Sequence, residues 1–252
     1  MNFKNLHEKE NPVLICNVWD VQSAKIAKQL GFKAIGTSSG AIATMLGYND
    51  GEEISFDELE YIVSRISKST NIPLTVDLEA GYSRKPEIIV EYIKRLEQLG
   101  VLGINIEDSI VNGSRAILTS VEFSKLLANV SNQLAQQKIK TFLNVRTDTF
   151  LLGLSNPIEQ TIERGVQYKE AGANGLFVPC IEKEEDIKEI NGQVNLPLNV
   201  MCMPNLPDFE VLKKLGVKRI SMGNFVYNKL SKVLKEELMT IHNHNSFQNL
   251  FS

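Results

Sequence analysis

Histidine and cysteine are scarce in this sequence, which has three of each and a single tryptophan. Cys16, Cys180 and Cys202 are far apart and lie among apolar residues, so their spacing suits neither a disulfide framework nor a zinc site. We therefore predict small buried thiols in a reducing environment. No apolar run approaches the ~20 residues of a membrane span, and the N-terminus lacks the apolar core of a signal peptide. The sequence predicts a cytoplasmic protein with no membrane partner.

An excess of positive charge is also missing. The sequence has 27 Lys and Arg residues against 30 Asp and Glu residues, which gives a net charge of −3. Nucleic-acid-binding domains carry a basic surface, so we expect a small-molecule partner and no nucleic acid. The composition, 43% hydrophobic and 23% charged, is that of an ordinary globular protein. The length of 252 residues suits a single domain over 1–252, because α/β barrels need about 250 residues.

A weak internal repeat predicts the fold. Four times, a helical stretch ends in an apolar residue and Gly, and a short apolar strand follows; the four dipeptides are Leu30-Gly31, Leu99-Gly100, Ala171-Gly172 and Leu215-Gly216. Four further β-prone runs lie between these copies, at 13–16, 74–76, 141–145 and 198–201. Helical patterns separate the eight strands. This alternation predicts an α/β fold, and eight units favour a closed (β/α)₈ TIM barrel over an open doubly wound sheet.

Capping signals mark several of the intervening helices. Ser55 and Glu58 have the spacing of a capping box. Pro86 and Pro157 each suit the first turn of a helix. On the same grounds we predict a helix over 206–215 with Pro207 in its first turn.

The sequence changes character after Gly223. Residues 224–241 form one amphipathic pattern, which predicts a C-terminal helix followed by a tail, together spanning 224–252. This helical extension has two interpretations. It is either the eighth barrel helix with a frayed end or an oligomer contact, since Phe247, Leu250 and Phe251 would otherwise be exposed.

Charged residues follow three neighbouring strands of the predicted barrel. Asp77 and Glu79 stand two apart after a buried run, so an extended strand would place them on the same face. Glu107 ends the fourth strand and Arg146 ends the fifth. Because the carboxyl ends of barrel strands form one rim, where active sites occur, we expect these side chains to converge. Clustered carboxylates repel one another, and Mg²⁺ is a common counter-ion for an all-oxygen cluster.

The predicted rim suits a dianionic oxo acid. A divalent cation can chelate a keto oxygen and a carboxylate, and an Arg fork can hold a carboxylate. The 37–41 loop adds backbone N–H groups for an anion at a helix start. No Lys ends a strand, which argues against a Schiff-base aldolase. Structural interpretations stay open, with Glu79 as a cap or a lysine partner and Arg146 in an ion pair with Asp148.

Six motifs carry a family resemblance. They lie at 17–20, 38–40, 46–50, 77–82, 105–108 and 146–148, and they read Asn-Val-Trp-Asp, Ser-Ser-Gly, Leu-Gly-Tyr-Asn-Asp, Asp-Leu-Glu-Ala-Gly-Tyr, Asn-Ile-Glu-Asp and Arg-Thr-Asp. In these motifs the chain resembles the isocitrate lyase / phosphoenolpyruvate mutase superfamily. The resemblance implies a Mg²⁺-dependent (β/α)₈ barrel that forms or breaks C–C or P–C bonds beside an oxo-acid carboxylate through an enolate.

The resemblance also implies residue roles. Asp77 would be the direct ligand of Mg²⁺, or alternatively of Mn²⁺, and Asp50, Glu79 and Glu107 would hold metal-bound waters. The substrate, a 2-oxo acid or a dicarboxylate, would contact Ser39, Gly40, Ala41, Arg146 and Asn199. Arg146, Asp50 and Glu107 would be the catalytic residues. Members of the superfamily commonly swap a C-terminal helix between subunits, which implies a homo-oligomer, either a dimer or a tetramer.

One segment departs from the family pattern. Isocitrate and methylisocitrate lyases carry a Cys and a His in the loop after the fourth strand, and phosphoenolpyruvate mutase carries a Lys there. The corresponding 109–115 segment has none of these residues, although Asn112 or Arg115 could stand in for the Lys.

These departures favour a small Cys-less member, similar to carboxyvinyl-carboxyphosphonate phosphorylmutase or oxaloacetate decarboxylase. The leading hypothesis is a Mg²⁺-dependent lyase acting on a small 2-oxo acid or its malate-type adduct. The alternatives are a phosphonopyruvate-type P–C mutase or hydrolase and a catalytically idle metabolite-binding barrel.

Overall fold

Eight parallel strands close into a barrel in the computed structural model, which describes residues 3–251. Each barrel strand pairs in parallel with its neighbour, and the last strand pairs with the first through Val13 and Arg219. The predicted TIM barrel is therefore confirmed. In chain order the strands are β1 Val13–Val18, β2 Ala34–Thr37, β3 Leu74–Asp77, β4 Val101–Glu107, β5 Ser109–Asn112, β6 Ser114–Ile117, β7 Phe142–Arg146, β8 Gly175–Val178, β9 Leu198–Met201 and β10 Arg219–Ser221.

Strands β5 and β6 are not part of the barrel wall. They pair only with each other as an antiparallel hairpin inserted after β4. This hairpin includes the 109–115 segment, which corresponds to the loop after the fourth strand in the family pattern.

Nine helices lie between or after the strands within residues 3–251, and short 3₁₀ turns lie at Phe3–Leu6 and Gln248–Phe251. The capping box of Ser55 and Glu58 is present, and Pro86 and Pro157 open their helices, as predicted. The helices are α1 Val21–Gln29, α2 Ser39–Leu46, α3 Phe56–Ser69, α4 Pro86–Gln98, α5 Ser120–Gln136, α6 Pro157–Glu170, α7 Glu184–Gln193, α8 Phe209–Lys214 and α9 Phe225–His244.

The predicted start of α8 is wrong. The helix begins at Phe209, and Pro207 lies outside it. The reason is Asp208, whose carboxylate accepts the backbone N–H groups of Glu210 and Val211 at 3.1 Å each. An Asp at the N-cap satisfies donors that have no partner within the helix, and here it takes precedence over the proline signal.

The apolar core lies between the barrel wall and the surrounding helices. Leu59, Val63 and Ile66 of α3, for example, are fully buried at helical spacing. A second apolar cluster closes the end of the barrel where the strands begin, and there the His7 ring stacks on Phe142 with ring centroids 4.3 Å apart. The charged rim is at the opposite end.

Three further findings bear on the sequence predictions. Cys16, Cys180 and Cys202 are free thiols, but each is half-buried rather than buried. Among residues 3–251, no helix combines the length and the apolar character needed to cross a membrane. Helix α9 has no buried residue, so it does not pack as the other barrel helices do.

Candidate active site

Asp77 is fixed at the rim by residues from both neighbouring strands. The Ser39 hydroxyl donates to Asp77 Oδ2 at 2.9 Å, and the Asn105 amide donates to Oδ1 at 3.3 Å. The backbone N–H of Asp77 donates to the Thr37 hydroxyl at 2.8 Å. This aspartate ends β3 and stays partly exposed, so its carboxylate is both oriented and accessible.

Glu79 lies in the same cluster, but its backbone conformation differs from the predicted one. Strand β3 ends at Asp77, and Glu79 has a left-handed φ of +48°, so the prediction of two carboxylates on one extended strand is wrong. Its carboxylate accepts the Glu52 backbone N–H at 2.8 Å and the Tyr82 hydroxyl at 2.9 Å, not a lysine. Burial, followed by the charges of nearby acids including Asp50, raises the pKa of Glu79 to about 8.

Glu107 is a buried acid held between two arginines. Its carboxylate contacts Arg146 Nη1 at 3.1 Å through Oε2, and Oε1 accepts from Arg115 and from the Ser109 hydroxyl. Burial raises the pKa of Glu107 to about 7, although the charge of Arg146 opposes the rise. The pairing of Glu107 with Arg146 follows from the register of β4 and β7.

Arg146 forms the ion pair that was one of the two interpretations of its motif. Its Nε and Nη2 donate to the two oxygens of Asp148 at 2.6 and 3.1 Å. Its guanidinium carbon also lies 5.8 Å from the centre of the Phe177 ring. Burial lowers the pKa of Arg146, but the charges of Glu107 and Asp148 more than offset this, so the net shift is upward. Its contact with substrate stays a prediction.

The first turn of α2 provides the expected anion-binding geometry. Ser38 caps the helix, and Ser39, Gly40 and Ala41 form its first turn, where backbone N–H groups lack partners within the helix. A side chain at Gly40 would come within 3.5 Å of the Asp50 carboxylate carbon, which shows how closely Asp50 approaches this turn. Burial, followed by the charge of Asp77, raises the pKa of Asp50.

Asn199 lies away from the acids. It is 1% exposed inside the barrel, and its side chain bonds to Asn144 at 3.0 Å and to Ser221 at 3.3 Å. Asn144 in turn donates to Asn105 Oδ1 at 2.9 Å, and Arg219 Nη2 donates to the same oxygen at 3.1 Å. The predicted role of Asn199 in substrate contact would therefore act through this buried network.

Asp108 has a structural environment. It is fully buried, and its carboxylate accepts from Arg164 at 3.0 Å, from Tyr168 at 2.7 Å and from Thr147 at 2.7 Å. It also accepts the backbone N–H of Asp148 at 3.1 Å. Asp108 thus joins β4, β7 and α6 beneath the rim.

The residues at the rim fit a divalent cation by their charge. Five carboxylates, those of Asp50, Asp77, Glu79, Glu107 and Asp148, lie close enough for their charges to raise the pKa values of Asp50, Glu79 and Glu107, and two guanidinium groups, Arg115 and Arg146, partly neutralise the cluster. The surplus of negative charge favours a bound cation. Within residues 3–251, no three His, Cys, Asp or Glu side chains form a ready-made metal cage. Such a site would therefore rely on Asp77 and on water, with the other acids around them.

The phosphoenolpyruvate phosphomutase family model matches residues 3–242. The chain belongs to this family. An uncharacterized protein of Mycobacterium tuberculosis (strain ATCC 25618 / H37Rv) is 32% identical over 239 residues, which is 90% of this chain and 84% of that protein. An oxaloacetate decarboxylase of Paraburkholderia xenovorans (strain LB400) is 27% identical over 94% of this chain and 80% of its own length.

The fold comparison agrees with this assignment. A candidate phosphonomutase from Burkholderia cenocepacia J2315 has a crystal structure that matches with a TM-score of 0.88 and 31% identity, covering 94% of this chain and 97% of that chain. The matching family model describes a phosphomutase and the curated relatives include oxaloacetate decarboxylases, so this member of the phosphoenolpyruvate phosphomutase family is an enzyme, in contrast to the catalytically idle alternative.

Glu52 was not among the predicted site residues, and Arg115 was offered only as a possible stand-in for the loop Lys of phosphoenolpyruvate mutase. Glu52 donates its backbone N–H to Glu79 and accepts the backbone N–H of Tyr82 at 2.6 Å, which fixes the turn after β3. Arg115 contacts Glu107 directly and lies 3.2 Å from Asp148. Its position as the single charged residue of 109–117 was the available signal.

Proposed function

We propose that this enzyme is a Mg²⁺-dependent lyase that cleaves or forms a C–C bond of a small 2-oxo acid, or its malate-type adduct, through an enolate. The observation that carries the proposal is the meeting of Asp77, Glu107 and Arg146 at one barrel rim, with Asp50 and Glu79 beside them. Similarity to oxaloacetate decarboxylases makes oxaloacetate the first substrate to test.

The side chains of the rim divide the work of binding. Asp77 would hold the cation directly, and Asp50, Glu79 and Glu107 would hold its water ligands. When bound, Mg²⁺ supplies Lewis acidity that stabilises negative charge on the keto oxygen of the substrate. The first turn of α2, at Ser39–Ala41, would bind the carboxylate beside that keto group, because helix N-termini favour anions.

The proposed decarboxylation is balanced by one proton. In oxaloacetate the C3–C4 bond breaks, C4 leaves as CO₂, and the bonding electrons form the enolate of pyruvate. Water then supplies a proton to C3, which gives pyruvate. The positive charge of Arg146, whose Nη1 lies 3.1 Å from Glu107, stabilises the developing oxyanion. The imidazole of His7 lies at the opposite end of the barrel, so it has no part in this proton transfer.

The deciding experiment measures the binding of oxalate, which mimics the pyruvate enolate. We expect the wild-type protein to bind oxalate in calorimetry only when Mg²⁺ or Mn²⁺ is present, and to release pyruvate from oxaloacetate in a reaction that EDTA stops. Asp77→Ala should abolish both, because it removes the direct metal ligand. Asp57→Ala is the control and should behave as wild type. It removes a carboxylate on α3 whose side chain is 80% exposed. Unchanged oxalate affinity in Asp77→Ala would contradict the proposed site.

A P–C mutase or hydrolase is the second candidate. The family model and the 31% identical candidate phosphonomutase favour it. Phosphorus NMR with phosphonopyruvate separates the two candidates, because C–P cleavage or rearrangement moves the phosphorus signal whereas a C–C lyase leaves it unchanged.

A further inference from the structure

Arg115 is brought to the rim by the β5–β6 hairpin. It is the single charged residue of 109–117, and the hairpin folds back through Gly113, which has a left-handed φ of +74°. The base of the hairpin is held by the Leu118 N–H, which donates to the Asp108 carbonyl at 2.8 Å. Arg115 therefore comes from outside the barrel wall, whereas Arg146 comes from a barrel strand.

The contacts of Arg115 leave part of its guanidinium group available. Its hydrogen bonds within residues 3–251 all come from Nη1, which donates to Glu107, to the Ser109 hydroxyl at 2.8 Å and to Asp148 at 3.2 Å. Nη2 lies 3.6 Å from Asp50 Oδ2, which is an ion pair beyond hydrogen-bond distance. The outer edge of the group, Nε and Nη2, can therefore donate to a ligand.

Arg146 differs in this respect. Its Nε and Nη2 donate to Asp148, and its Nη1 is 3.1 Å from Glu107, so all three nitrogens already face carboxylates. Both arginines share the same two acids. Arg115 is the one of the pair with unused donors, and its side chain is 18% exposed.

The hairpin is held in this position by contact with the segment that carries Asp50. A Cβ atom added to Gly51 would lie 2.7 Å from Val111 Cγ2, so the hairpin packs against the backbone of this segment. Asp50 itself adjoins the first turn of α2, where the substrate carboxylate is proposed to bind. Arg115 therefore lies across Asp50 from that turn.

We propose that Arg115 binds the terminal carboxylate of a dicarboxylic substrate, so that the hairpin selects dianionic over monoanionic acids. The inference rests on the proposed function, because the cation and the α2 turn must hold the other end of the same molecule. An arginine fork matches a carboxylate in shape and charge, and its two N–H groups can bind both oxygens. Asp50 approaches both the α2 turn and Arg115 Nη2, so the two proposed anion sites lie on either side of one side chain.

The test compares malate with lactate, which differ by the terminal carboxylate alone. Each acid displaces oxalate from the Mg²⁺-loaded protein in calorimetry. We expect the wild type to prefer malate by about 10- to 100-fold, the range of a charge-assisted hydrogen bond. Arg115→Gln should remove this preference, so that malate and lactate displace bound oxalate equally. Arg115→Lys, which keeps the charge but not the fork, should retain a part of it. Arg65→Gln, on an exposed arginine of α3, should match wild type.

The outcomes separate this inference from the proposed function. If the wild type does not bind oxalate in the presence of Mg²⁺, the proposed function and the proposed role of Arg115 are both wrong. If oxalate binds but malate and lactate are equal, or if Arg115→Gln keeps the preference, the role of Arg115 alone is wrong. Loss of oxalate binding in a folded Arg115→Gln protein would also overturn it, because Arg115 would then support the whole site. Arg115→Lys decides the question if the Gln variant does not fold.

Discussion

Glu79 and Glu107 are acids whose surroundings bring their ionisation close to neutral pH. The pKa of Glu79 is about 8 and that of Glu107 is about 7, in both cases chiefly because the side chain is buried. In an unfolded chain the same groups have a pKa near 4.5. Between pH 4.5 and about pH 8, the folded metal-free protein therefore binds more protons than the unfolded chain. Ionisation of these two acids in this pH range opposes folding.

This difference predicts how pH affects stability. The free energy of unfolding of the metal-free protein should fall as pH rises from about 6 to about 8, because the folded state must release protons that the unfolded chain has already lost. Mg²⁺ should raise the melting temperature more at the higher pH, since a cation binds the ionised carboxylates. Urea and thermal unfolding with and without Mg²⁺ measure both effects.

Glu79→Gln provides the control for this prediction. Because it removes one of the two titrating groups, it should flatten the pH dependence of the metal-free protein. An equal effect of Mg²⁺ at both pH values would contradict the prediction.

The sequence predicts some of the site residues and not others, for a physical reason. Asp77, Glu107 and Arg146 end barrel strands, so the register of a parallel barrel brings them together. Glu79 lies after β3, and its position depends on a left-handed residue and on a hydrogen bond from Glu52, 27 residues earlier in the chain. Periodicity carries no information about such long-range contacts outside regular strands.

The sequence alone does not predict the β5–β6 hairpin. Its pairing places Asn112 opposite Ser114 and Ser109 opposite Ile117, so only Gly113 lies at the turn. Asn-Gly is a strong hairpin signal when apolar residues alternate around it. Here the flanking residues are a mixture of Ser, Ile, Val, Arg and Ala, and the signal was weak.

The contact between Gly51 and Val111 gives a prediction at this scale. Gly51→Ala should displace the hairpin, because the added Cβ would lie 2.7 Å from Val111 Cγ2 and the backbone φ of +116° already disfavours a side chain. We expect a loss of about 1–3 kcal/mol in the free energy of unfolding, together with a weaker preference for malate over lactate. Urea unfolding and the oxalate displacement assay measure the two effects.

Gly31→Ala is the matched control for this substitution. Gly31 has a left-handed φ of +76°, but an added Cβ would meet nothing within 4 Å. The Gly31→Ala variant therefore measures the loss of stability that backbone strain causes in the absence of a steric overlap. Equal losses of stability in the two variants would show that contact with the hairpin is not responsible.

In the whole molecule, the barrel is closed by the pairing of its first and last strands. Asn17, from a motif of the family resemblance, accepts the backbone N–H groups of Met222 and Gly223 at 2.7 and 3.2 Å. The repeat of helix, glycine and strand predicted this closed arrangement because each unit buries its apolar strand against its own helix. The single domain over 1–252 stays a prediction.

The surface of α9 favours self-association, which also stays a prediction. Several of its apolar residues are exposed, among them Leu230 at 53% and Leu234 at 60%. Exposed apolar surface of this extent is typical of interaction sites. We expect the wild type to sediment as a dimer or tetramer, and the double variant Leu230→Glu and Leu234→Glu to sediment as a monomer.

A charge-reversed variant of the same helix controls for this experiment. Lys232→Glu changes an exposed residue, 76% accessible in its side chain, and should leave the sedimentation unchanged. A monomeric wild type at micromolar concentration would rule out the proposed contact.

The buried guanidinium of Arg219 fixes the orientation of the side-chain amide of Asn105. Arg219 and Asn144 both donate to Asn105 Oδ1, so that oxygen faces down into the barrel and the –NH₂ group faces up toward Asp77. A flipped amide would set two acceptors against each other at the top and two donors against each other below. Asp77 Oδ1 therefore always faces the –NH₂ group of Asn105, because the hydrogen bonds from Arg219 and Asn144 fix the orientation of that amide.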